Sequence, residues 1–173
     1  MATTQISQNT LTINQIQSGF FSIISLLDGV LRDRSLLMQN QISDLASAIT
    51  TLNGNIKEVS DLIAGIKRGK GLGGNSGLSA VWSAVGGADK FNAIKIKYSL
   101  DLGYLNYDED SALWDADAQR VQGVLDQLTN QSSQMTNRLQ GLNNKYNEAN
   151  DARNSVRTDQ NQNKIDLISL MFK

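Results

Sequence analysis

Apolar residues recur along this chain in two long runs of alternating three- and four-residue steps. The longer run fills the last third, at Ala118, Val121, Leu125, Leu128, Ser132, Met135, Leu139, Leu142, Tyr146, Ala149, Arg153, Val156, Gln160, Asn163, Leu167 and Leu170. Residue type lapses at Ser132, Arg153, Gln160 and Asn163, but the spacing never slips, and the positions between are almost wholly polar. An apolar repeat of 3.5 residues is a coiled-coil seam. At 1.5 Å per residue the helix carrying it runs on the order of 80 Å. One helix cannot bury its own seam, so the pattern requires a second long helix, in the same chain or in a neighbour.

The second run supplies one: Ile42, Leu45, Ile49, Leu52, Ile56, Val59, Ile63 and Ile66. Gly54 weakens this helix by about 1 kcal/mol relative to Ala and leaves the period intact. Two such seams at opposite ends of the chain predict an antiparallel hairpin of long helices. Ahead of residue 42 the pattern is broader. Ile13, Ile16, Phe20, Ile23, Leu27 and Val30 form one stripe, Ile24, Leu31 and Met38 a second, and Phe21, Leu26, Leu36 and Leu37 widen it. This surface exceeds what one partner helix covers; either the core of the same domain or other subunits must take the remainder. Ser18, Ser22, Ser25 and Gly29 make a small-residue stripe on the remaining side, open to water or to a close helix neighbour. Asp28 and Arg32 are spaced as an i,i+4 ion pair.

Between the arms the composition changes. Lys67, Arg68 and Lys70 suit a helix C-terminus, and Gly69, Gly71, Gly73, Gly74 and Gly77 then read as a flexible link. A short apolar cluster follows at Leu78, Val81, Trp82 and Val85. Phe91, Ala93 and Ile94 lead into Ile96, Tyr98, Leu100 and Leu102, which alternate with Lys95, Lys97, Ser99 and Asp101, a period of two that predicts a strand. The expected fold is therefore all-α: a long antiparallel helical hairpin (coiled-coil) with a small irregular, β-containing insertion between its arms. Its parts are a disordered leader at 1–10, a long helix at 11–68, a glycine-rich insertion at 69–111 and a C-terminal heptad helix at 112–173, capped by Asp110 or Ser111.

Composition narrows the function. The 173 residues include no Pro, no Cys and no His. Without proline nothing forbids long uninterrupted helices. Without cysteine there are no thiol nucleophiles or thiolate metal ligands, and without histidine the commonest general base and metal ligand is missing, which weighs against an enzyme although carboxylates, Lys and Ser remain. A formal charge of −1 with both signs scattered argues against nucleic acid, because phosphate neutralisation needs a basic surplus. The polar start, Met1 to Thr10, lacks a basic, then apolar, secretory signal. Gly19 to Leu31 is too short and too interrupted for a membrane span, which needs about 20 apolar residues.

The motif matches are weak. Gly69 to Gly74 fits G-x-G-x-x-G, with Asp89 twenty residues on, but a helix precedes it where the dinucleotide fingerprint needs a strand. The acidic run Asp108, Glu109, Asp110, Asp115 and Asp117 lacks the spacing, central glycine and terminal glutamate of a calcium loop, and is better read as charge at a helix N-terminus. No cofactor, metal or catalytic residue is expected.

The layout as a whole resembles the EspA/SseB-like translocator filament proteins of type III secretion systems. The likeness lies in the polar Ser/Thr/Gln leader, the apolar N-terminal helix, the glycine-rich middle, the polar heptad run Ser133-Gln134-Met135-Thr136-Asn137-Arg138-Leu139 and the apolar tail Ile165 to Phe172 closed by Lys173. It covers both arms and rests on layout more than on a diagnostic motif. The resemblance implies a secreted protein, exported unfolded through a needle, that polymerises on the bacterial surface into a hollow tube for effector delivery. It implies as partners further copies of the chain, the secretion needle and a dedicated cytoplasmic chaperone. The self-association residues would be Ile16, Phe20, Ile23, Leu27, Val30, Ile49, Leu52, Ile56, Leu128, Met135, Leu139, Leu142, Leu167 and Leu170. A needle-tip protein of the same system, or a coiled-coil adaptor or chaperone, are the alternatives; the short middle favours the filament.

Overall fold

The computed structural model describes residues 2–102 and 111–171, with backbone alone over 2–14 and at a few further positions that include Ile16, Leu167 and Leu170. The described chain consists of four helices, α1 (Ala2–Lys70), α2 (Gly74–Val85), α3 (Ala88–Lys97) and α4 (Ser111–Met171). It forms two compact units. A terminal unit comprises Met1–Asp44 with Leu139–Lys173, and a central unit comprises Leu45–Arg138. The two long helices contribute to both.

The central unit holds the larger core. Leu52, Val59, Leu62, Ile63 and Ile66 of α1 meet Trp114, Val121 and Leu128 of α4, with Leu78 and Val81 from α2 and Phe91 and Ile94 from α3. Here α1 and α4 run antiparallel: Ser132 donates to Asn53 at 3.1 Å, and nearer the turn Lys70 reaches Asp115 at 2.7 Å. Ser132, a polar lapse in the C-terminal seam, thus finds a polar partner across the pair.

The glycine run is not a flexible link. Gly69 and Gly77 are buried, and their backbones cross beneath the Trp114 indole. A Cβ on Gly69 would stand 2.5 Å from Trp114 Cζ3 and 2.6 Å from the Gly77 carbonyl oxygen. A Cβ on Gly77 would stand 2.6 Å from the Gly69 carbonyl oxygen. Gly65 extends this contact, lying against Val81 and Ala84 of α2. Glycine is therefore required here because α1 and α2 approach more closely than any side chain permits. The turn is closed by Leu72 and Gly73, whose N–H groups both donate to the Gly69 carbonyl at 2.9 Å. At the end of α2, Gly86 takes φ 90° and donates to the Trp82 carbonyl, a left-handed stop that favours glycine.

The expected strand at 91–102 is absent; the described residues contain no strand. Residues 88–97 form α3, with Asp89 in its first turn and Lys95 and Lys97 in its last. The true inward spacing is Phe91 to Ile94, while Ile96, a member of the apparent alternation, is 80% exposed. Leu100 and Leu102 are buried by an irregular exit segment beyond Tyr98, with Ser99 at φ 52°. The period of two arose where a helical end and an extended exit follow one another. A strand also needs a partner for its ladder, and no second segment among the described residues offers one.

In the terminal unit α1 and α4 are again antiparallel. Asp28 meets Arg153 at 2.8 Å and Arg157 at 3.1 Å, and Ser35 donates to Asn150 at 3.0 Å. The expected Asp28–Arg32 pair is not formed: Asp28 is taken by α4, and Arg32 turns to Asp33 at 3.2 Å. Ile24, Ser35, Met38 and Ala149 are buried.

Candidate interaction surface

Two apolar stripes compete for the inward side of α1 in the terminal unit. The structure buries the one through Ile24, Ser35 and Met38, with Asp28 and Leu31 half-buried on the same line. This stripe continues the alternating spacing of the seam at residues 42–66. The other stripe lies outward. Ile23 is 66% exposed, Val30 56%, and Phe20 and Leu27 are exposed beside them. Leu26, at 70%, and Leu36 and Leu37 enlarge the patch. Phe20 and Phe21 add an edge-to-face ring contact at 6.3 Å. Scattered surface leucines need no explanation, but Phe20, Ile23, Leu26, Leu27 and Val30 place five exposed large apolar side chains on one side of three helical turns, a face of the kind that marks interaction sites.

The residues expected to carry self-association therefore separate into three sets. Phe20, Ile23, Leu27 and Val30 are exposed. Leu52 and Leu128 are buried inside the central unit, and Ile56 and Met135 pack against the same core; Ile49 is half-buried on the same helix face, as are Leu139 and Leu142 in the terminal unit. These seven central-unit and seam positions hold the chain's own helices together. The side chains of Ile16, Leu167 and Leu170 lie outside the described residues.

Sequence reasoning missed the Asp28–Arg153–Arg157 cluster. In the sequence pattern Arg153 is a lapse in the C-terminal seam and Asp28 is half of a local pair. The available signal was that Asp28 falls at seam spacing from Ile24 and Leu31, so that two seam lapses carry opposite charge. The hydrogen bond from Arg153 holds the Asp28 carboxyl below its ordinary pKa against the opposing effect of desolvation. Trp114, fully buried, was also missed, although it continues the spacing of Ala118 and Val121 one step back.

Other chemistry-bearing groups serve the fold. Lys97 donates to Glu58 and to Asn55, each at 2.8 Å, tying α3 to α1. The bond to Glu58 raises the Lys97 pKa, and burial raises that of neighbouring Tyr98. Arg120 bridges Asp117 at 3.2 Å and the Asp101 carbonyl at 2.8 Å, pinning the start of the 101–111 connection to α4. A groove of about 260 Å³ between α1, α2 and α3 is lined by charges of both signs, of which Lys57 is already paired with Asp61 at 2.6 Å. No group of acidic residues among those described is placed to hold a metal ion. Asp108, Glu109 and Asp110 of the acidic run lie outside the described residues. No helix of the described residues is long and apolar enough to cross a membrane.

No protein-family model, no curated protein and no solved structure matches this chain.

Proposed function

We propose that the protein is a self-assembling structural subunit, in which α1 and α4 form one long antiparallel coiled-coil hairpin and the outward face of α1 joins copies into a filament. The observation that carries this reading is the exposed apolar face at Phe20, Ile23, Leu26, Leu27 and Val30, on a helix whose adjoining stripe is already buried within the chain. A face of this size left in water favours association. When copies repeat one heterologous contact whose rotation does not close into a ring, an open helical polymer results. The resemblance in layout to type III translocator filament proteins supplies the setting: a secreted extracellular tube, with a cytoplasmic chaperone covering the face before export. The role is structural and not enzymatic, with no cofactor.

Sedimentation and negative-stain electron microscopy of the purified chain test this. Wild-type protein is expected to associate with rising concentration and to form filaments. Ile23→Asp with Leu27→Asp is expected to remain monomeric with unchanged helix content, because both positions are exposed and the new charges meet water within the monomer. Small rings would point instead to a tip complex, and discrete dimers to an adaptor. A wild-type chain that stays monomeric at high concentration would end the self-assembly reading.

A further inference from the structure

In the terminal unit the buried stripe of α1 is the less apolar of the two. It carries Asp28 and Ser35 among Ile24, Leu31 and Met38, whereas the outward line through Phe20, Ile23, Leu27, Val30, Arg34 and Leu37 has Arg34 as its one polar member. Area burial by itself favours the opposite choice. The facing seam of α4 explains the reversal. It places Arg153, with Arg157 one turn on, and Asn150 beside Ala149. An apolar stripe laid there would set Leu27 in place of Asp28 against the half-buried Arg153 and leave Asn150 without the Ser35 hydroxyl. With the observed face inward, Asp28 Oδ1 accepts from both Arg153 Nε and Arg157 Nε, and Ser35 Oγ donates to Asn150 Oδ1.

We infer that the Asp28–Arg153–Arg157 cluster, seconded by Ser35–Asn150, selects which face of α1 turns toward α4 and so keeps the stripe at Phe20, Ile23, Leu27 and Val30 outward for a partner. Polar groups at seam positions are known to specify one pairing at some expense of stability. Here the alternatives differ by a turn of α1 about its own axis of roughly 100°, the angle between successive residues. Without the cluster the more apolar stripe is the better occupant of the seam, and the surface on which the proposed assembly rests would be consumed inside the chain. The inference deepens that proposal, but the choice of face is made within one chain and is tested on dilute monomer, so that its failure is separable from a failure to assemble.

The absence of cysteine makes the face readable by disulfide trapping. Two pairs are introduced separately, Ser35→Cys with Asn150→Cys for the observed face, and Arg34→Cys with Asn150→Cys for the turned face. In the otherwise native chain the first pair is expected to close and the second to stay open. Adding Arg153→Leu with Arg157→Gln removes the acceptor's partners; the ratio of the two links should then move toward the second by roughly tenfold, the factor set by a charged hydrogen bond. Reversing the charges, with Asp28→Arg, Arg153→Asp and Arg157→Asp together, should restore the first link. The inference is overturned if the Arg153→Leu, Arg157→Gln chain keeps the first link and not the second. Loss of both links would overturn it equally, since the cluster would then hold the helices together without choosing between faces.

Discussion

The terminal and central units are built from the same two helices, yet they are held by different means. In the central unit, α2 and α3 add two more helices, and an apolar core surrounds a fully buried Trp114 where the glycines of α1 and α2 cross. In the terminal unit α1 meets α4 along a single seam, interrupted by ion pairs and a Ser–Asn bond, and one apolar face of α1 is left outward. Burial stabilises the first region; specific polar pairing defines the second. The contrast separates what makes this chain fold from what leaves an apolar stripe of α1 exposed.

The contrast is tested most severely at Trp114. Trp114→Ala is expected to destabilise the protein by about 3–5 kcal/mol, the usual cost of emptying a buried aromatic site. Denaturant unfolding checks this; a loss below about 1 kcal/mol would mean that the indole does not organise the central unit.

The next effect reverses sign between two glycines of one helix. Gly69→Ala sets a methyl against Trp114 and the Gly77 carbonyl and should cost about 1–3 kcal/mol through overpacking. Gly54 has nothing within 4 Å of its added Cβ, so Gly54→Ala should stabilise by up to about 1 kcal/mol through helix propensity. Equal effects at both sites, read from thermal unfolding, would show that the close crossing is not maintained in solution.

Amide hydrogen exchange ranks the two units directly. Amides of α1 near Ile24 to Met38, backed by one seam, should exchange by local opening at lower free energy than those near Val59 to Ile66, which lie in the four-helix core. Measured on monomer, uniform protection along α1 would mean that the units open as one.

The smallest effect is expected at the ion cluster. The Asp28 pKa is lowered in the folded chain, mainly by the bond from Arg153. Its contribution is therefore present above the unfolded value of 3.8 and is lost as pH falls through the folded value. The stability difference between wild type and Asp28→Asn should accordingly shrink on acidification from pH 6 toward pH 3. A difference that stays constant over that range would show that the carboxylate charge contributes nothing there.

Periodicity alone determined the inward face of α4, from Val121 to Asn163, and that of α1 from Ile42 to Ile66, because a seam of 3.5 residues is a property of one helix and needs no knowledge of its neighbour. It also marked α1 near its start as too apolar for one partner. Three things only the tertiary structure decided. Gly69 and Gly77 are packed against each other and Trp114, because a glycine that frees the backbone and one that admits a neighbouring backbone look alike in sequence. Residues 88–97 are helical because Phe91 and Ile94 have a helical core to enter and no strand has a ladder to join. The outward stripe of α1 is the more apolar one because Asp28 and Ser35 have partners on α4, and such pairing joins residues more than a hundred positions apart. A local pattern measures how much apolar surface a helix carries; where two faces compete, the groups waiting on the opposing helix choose between them.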